Sequence, residues 1–123
     1  MAKKRKGRAA AELVWEGDSR DVVRTFPDGI KKKLGEDIRR VQKGEPPNDA
    51  KPMKSIGAKC FELRQQDNAG WYRVILFGVI DGKLYALHSF VKKSKKTPTN
   101  DLKTAGLRLK EVKARIREEK KRK

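Results

Sequence analysis

Five basic side chains fall in runs with strand character, namely Arg64, Arg73, His88, Lys92 and Lys93, and these residue types could act on a phosphodiester. The last two belong to the run Phe90-Val91-Lys92-Lys93-Ser94-Lys95-Lys96-Thr97-Pro98, where an apolar strand ends in four lysines ahead of a proline turn. Cations carried on a sheet can hold a phosphate in one geometry, which cations in a loose tail cannot. An arginine inside Trp71-Tyr72-Arg73-Val74-Ile75 needs a partner to offset its desolvation. A salt bridge to Glu62 on the neighbouring strand would supply one, and so would an anionic ligand. The combination of Arg73 with Arg64 and the Lys92-Lys93 pair favours a phosphate site, with Lys95 and Lys96 adding to an RNA-binding face. His88 reads first as a packed histidine making one hydrogen bond. It is also a candidate proton shuttle, because its ordinary pKa lies near neutrality. Tyr72 and Tyr85 could stack on bases or fill the core; Tyr72 is carried forward as an RNA-binding candidate, while Trp15 and Trp71 read as core.

Other chemistries find no support. The chain has no glycine-rich phosphate loop, no paired cysteines at metal spacing, no serine elbow and no acid-rich metal site, so neither a metal nor a cofactor is expected. Cys60 is the lone cysteine and reads as a small buried residue, which excludes an internal disulfide. No apolar stretch reaches the roughly twenty residues of a membrane span, and the basic N-terminus is not followed by a signal segment. A cytoplasmic protein is expected. The formal net charge is +17 over 123 residues, most of it in segments 1–8, 92–96 and 113–123. Such a field draws a protein to polyanions and makes binding steeply salt-dependent.

The elements needed to position the cations follow from spacing. Leu13-Val14-Trp15 is a short strand ended by Gly17, and Asp18 or Ser19 caps a short helix with Val22, Val23 and Phe26 on its apolar side. Ile30, Leu34, Ile38 and Val41 form the stripe of a second helix, stopped by Gly44 and Pro46-Pro47. Cys60 to Arg64 alternates as a strand; residues 71–80 and 83–91 are β-rich runs joined by the hairpin signal Asp81-Gly82. A last helix begins at Thr99 or Asn100, with Leu102, Ala105, Leu109, Val112 and Ile116 as its apolar line. Gly106 weakens that helix by about 1 kcal/mol relative to alanine. The expected fold is α+β: a mainly antiparallel four-stranded sheet, two N-terminal helices on one face, a C-terminal helix, and a sheet face free to carry function. Residues 1–11 read as a flexible basic arm, 12–117 as a single domain and 118–123 as a basic tail.

The segment from Phe90 to Pro98, preceded by Glu62-Leu63-Arg64 and Tyr72-Arg73-Val74, resembles the HigB-like, phage-associated branch of the RelE/ParE toxin superfamily. That branch carries an F-x-K-K-[ST]-x-K-T-P segment before a C-terminal helix with a spaced alanine and arginine, here Ala105 and Arg108. The resemblance covers residues 13–116; the basic arms at both ends are additional to it. It implies the toxin of a type II toxin–antitoxin system, paired with a helix-turn-helix antitoxin, and a ribosome-dependent, metal-independent endoribonuclease that cuts mRNA on the ribosome. The alternatives are a gyrase-inhibiting toxin of the same fold and a basic RNA- or ribosome-binding module. Residues vary widely within the superfamily, so the carry-over stops at Arg64, Arg73, Lys92 and Lys93.

Overall fold

Asp81 and Gly82 adopt positive φ angles of 48° and 79°, the backbone a two-residue hairpin turn requires, and they join the two longest strands. A computed structural model describes residues 10–94 and 98–122, so residues 1–9 of the expected arm at 1–11 and the site candidates Lys95 and Lys96 lie outside the described residues. The elements are β1 (Glu12–Trp15), α1 (Ser19–Arg24), α2 (Asp28–Gln42), β2 (Ala50–Pro52), β3 (Cys60–Asp67), β4 (Gly70–Ile80), β5 (Lys83–Lys92) and α3 (Thr99–Lys121). Ala11 is buried and its N–H donates to Gln42 O at 2.9 Å, which ties the residue before β1 to the end of α2.

The α+β class holds, but the sheet has five strands in the order β1-β5-β4-β3-β2 and is mixed, not four-stranded and antiparallel. β1 pairs with β5 in parallel, from Glu12 beside Lys83 to Trp15 beside Ala86, while the remaining pairs are antiparallel. Helices α1 and α2 lie between β1 and β2 in the chain, which leaves β1 free to take the far edge beside β5. The additional strand β2 has three residues and ends on Pro52, which an edge strand tolerates.

Period-two alternation then divides the apolar residues between two layers. Leu63, Tyr72, Val74, Leu76, Leu84 and Ala86 meet Phe26 and the α2 stripe Ile30, Leu34, Ile38 and Val41. Cys60, Ile75, Phe77, Tyr85, Leu87 and Phe90 meet Ala105, Leu109 and Val112 of α3 on the opposite face. The sequence leads one to expect a free second face, but the apolar line of α3 covers much of it. Arg115 fastens α3 to the end of β1 through a bidentate pair with buried Glu16, at 3.0 and 2.6 Å. Trp15 and Trp71, expected in the core, are only half-buried; the Trp71 indole N–H donates to Gln66 Oε1 at 3.1 Å.

Leu34 has no exposed surface. Leu34→Ala should lower unfolding free energy by about 2–5 kcal/mol, whereas Val91→Ala, on an exposed side chain, should change it by less than about 0.5 kcal/mol. Urea denaturation of the two variants checks the assignment of this layer.

Candidate functional site

Sheet register decides which side chains share the face under α3. Lys51, Glu62, Ile75 and His88 stand in one row across β2 to β5. The next row holds Arg64, Arg73 and Phe90, and the one beyond it Gln66, Trp71 and Lys92. Helix α3 starts at Thr99, and its first fully buried residue, Ala105, comes more than a turn later. Past the reach of that buried line, the sheet face opens into a cavity of about 430 Å³. Lys51, Lys54, Arg64, Arg73 and Lys92 line it together with one carboxylate, Glu62, and with Ser55, Met53, Pro52 and Leu102.

Arg73 and Lys92 are only 6% and 4% exposed. Arg73 Nε lies 3.3 Å from Glu62 Oε1, an ion pair without the alignment of a hydrogen bond. Arg73 Nη1 donates to Tyr72 O at 3.2 Å and to Gln65 O at 3.4 Å, which fixes the guanidinium plane. Arg64 stands directly opposite Arg73, and like charges so placed repel. Each has its own acid: Arg64 Nε and Nη2 donate to Asp49 Oδ1 at 3.0 and 2.8 Å. Asp49 is in turn positioned by α2, where buried Asp37 accepts from the N–H groups of Asn48 and Asp49 at 2.8 and 3.3 Å.

Burial pulls the Lys92 ammonium below its ordinary value; Glu62 opposes this, and the neighbouring Arg73, Lys51 and Arg64 reinforce it. Burial likewise lowers Arg73, with Glu62 opposing. The end of β5 comes this close because residue 70 is glycine: a β-carbon there would meet Lys92 O at 3.1 Å and Val91 Cγ1 at 3.2 Å. Positive charge exceeds negative among the lining groups, so the cavity suits an anion of phosphate size. Among the described residues no cluster of three or more His, Cys, Asp or Glu side chains could hold a metal ion.

The candidates divide on this geometry. Arg64, Arg73 and Lys92 converge, whereas Lys93 follows the last residue of β5 and is exposed outside the cavity. His88 does not line the cavity either. Its Nε2 lies 2.6 Å from Asp101 Oδ1, its Nδ1 lies 3.3 Å from Arg108 Nη1, and its ring stacks on Phe90. Arg108, the arginine of the α3 motif, also donates to Leu87 O at 3.0 Å and pairs with Asp18 at 3.1 Å, so it clamps helix to sheet. Tyr72 points to the other layer, packed on Phe26 with its hydroxyl 3.1 Å from Asp67 Oδ1, and is buried away from any base. Two lining lysines, Lys51 and Lys54, escaped the sequence reading. Their placement depends on β2 and the turn after it, and three residues ending in proline carry no periodicity.

A family model described as Phage derived protein Gp49-like (DUF891) matches residues 21–110. The matched span contains every residue lining the cavity. No curated protein matches the chain.

Arg73→Ala should lower stability by about 3 kcal/mol, because it removes the guanidinium 3.3 Å from buried Glu62. Adding Glu62→Leu should recover much of that loss, while Lys93→Ala should leave stability within about 0.5 kcal/mol. Thermal and urea denaturation of the three variants provide the check.

Proposed function

The chain belongs to the Gp49-like family of phage-derived proteins, and on that footing we propose that it is the toxin of a type II toxin–antitoxin pair that cuts translated mRNA. The family is toxin-like and related to RelE and HigB. The observation that carries the reading is the convergence of Arg73 and Lys92, two cations almost withdrawn from water, on one cavity. Buried cations of this kind are unfavourable for stability alone, and they gain when a phosphodiester enters between them. A helix-turn-helix antitoxin is the proposed partner of the same protein.

The chemistry follows from where the groups stand. Arg73, held by Glu62, and Arg64, held by Asp49, donate to the non-bridging phosphate oxygens and stabilise the charge that grows there. The 2′-oxygen attacks phosphorus and the bond to the 5′-oxygen breaks, leaving a 2′,3′-cyclic phosphate and a 5′-hydroxyl. In its neutral form Lys92 takes the 2′ proton; its lowered pKa raises the share of neutral amine available for this. Lys51, entering from the opposite side of the cavity on β2, gives a proton to the departing 5′-oxygen. In-line displacement needs acceptor and donor on opposite sides of phosphorus, and β4 and β3 lie between β5, which carries Lys92, and β2, which carries Lys51. His88 has no part in the step and serves the attachment of α3.

Induced expression in a bacterium should arrest growth and create new transcript 5′ ends bearing hydroxyls. Lys92→Arg keeps the positive charge but cannot shed its proton, so it should reduce cleavage by about a hundredfold or more while RNA binding persists. Cleavage by the parent should rise with pH through the lowered Lys92 pKa and level off sooner than an ordinary lysine would allow. Deleting residues 120–123 should have only a mild effect. If Lys92→Arg cleaves at the parent rate, Lys92 supplies charge alone. Growth arrest with broken DNA and no new transcript ends would move the reading to gyrase inhibition.

A further inference from the structure

The apolar stripe of α2 is covered by the protein's own sheet and offers a partner nothing. Helix α3 is different. Ala105, Leu109 and Val112 pack inward, but Leu107 is 63% exposed, more than any other large apolar side chain among the described residues. Beside it runs a groove with an apolar floor of Ile56, Leu107 and Leu109, edged by Lys103, Lys110 and Lys113. Lys103, Leu107 and Lys110 follow one another at helical spacings of four and three, so charge and apolar floor share one face. Among the described residues no carboxylate lines the groove.

Gly106 sits in the middle of this face. A glycine weakens a helix interior relative to alanine, and here a β-carbon would meet no atom within 4 Å. Nothing among the described residues accounts for its missing side chain, whereas the close approach of another backbone would. From Lys103 to Lys113 the groove runs about 15 Å, close to three turns of a helix.

We propose that this groove is the docking surface for an acidic amphipathic helix of a partner protein. Carboxylates on such a helix meet the three lysines, and its apolar line covers Leu107 and Ile56. The charges argue against the other occupants. A second copy would bring one lysine edge against another, and the chain's own Lys3, Lys4, Arg5, Lys6 and Arg8 have the wrong sign. RNA would answer the lysines but leave the apolar floor uncovered. The proposal goes beyond the cleavage reading and does not depend on it, because its test reads binding alone.

The test uses the full chain and two labelled peptides of Leu, Glu and Ala, identical in composition, about 18 residues long. One is patterned as an amphipathic helix and the other is scrambled. Fluorescence anisotropy should show the patterned peptide binding about tenfold tighter than the scrambled one. Leu107→Lys, which adds positive charge on an exposed position, should weaken that binding about tenfold. Val79→Lys, in the apolar groove beside α2, should leave it unchanged. Amide NMR shifts on adding the patterned peptide should centre on residues 103–113. Equal binding of the two peptides, or unchanged binding by Leu107→Lys, would overturn the proposal, since attraction to a +17 surface would then suffice. Shifts centred on Arg73 and Lys92 would also overturn it. So would sedimentation showing a dimer that Leu107→Lys dissolves, or an RNA oligonucleotide that shifts the same amides as strongly.

Discussion

Glu62 is 2% exposed, yet the charges of the cavity are organised around it. An ion withdrawn from water without a counter-charge is so unfavourable that the group neutralises or the structure opens. Arg73 escapes both outcomes because Glu62 lies 3.3 Å from its Nε, and Lys92 is held charged more readily by the same carboxylate. One acid does not balance the cations around it, however. Arg64 has Asp49, but among the described residues Lys51, Lys54, Arg73 and Lys92 share the lining with Glu62 alone, so positive charge exceeds negative there. The pair on β3 and β4 thus makes buried cations tolerable within a lining where positive charge predominates.

The remaining architecture protects this arrangement. On one face α1 and α2 close the apolar layer, and Asp37 reaches from α2 to the backbone of Asn48 and Asp49. Asp49 then orients Arg64, so a helix on one side of the sheet sets a guanidinium on the other. On the second face α3 is fixed by Arg108 to β5 and the turn before α1, and by Arg115 to Glu16. His88 joins the same attachment through Asp101. These ties place the N-terminal turn of α3 at the edge of the cavity, where Leu102 becomes part of the wall.

Much of this was legible in the sequence wherever a local rule decided the outcome. The hairpin at Asp81-Gly82, the α2 stripe and the start of α3 at Thr99 all follow from turn chemistry or helical spacing. So did the grouping of Arg64, Arg73 and Lys92, because alternation from two anchored strands fixed their face. Non-local pairing was not legible. The parallel placement of β1 and the existence of β2 depend on contacts between distant segments, and Lys51 was missed with β2. Lys93 has the charge of a site residue, but the strand ends before it. Tyr72 has the ring of a base-stacking residue, but odd and even positions on β4 face opposite layers. The covered second face could have been foreseen, since the apolar line of α3 needed a surface and only that one remained.

The account rests on the cavity of Arg73 and Lys92 being a phosphodiester site built around a buried carboxylate. Side-chain ¹⁵N NMR of Lys92 Nζ and Arg73 Nε tests this directly, recorded alone and with an RNA oligonucleotide whose 2′-hydroxyls are methylated to prevent cleavage. Free Lys92 should titrate below an ordinary lysine, both signals should shift on RNA binding, and the bound RNA should raise the Lys92 pKa. A Lys92 that titrates like a solvent-exposed lysine, with both signals unmoved while RNA binds elsewhere, would contradict it.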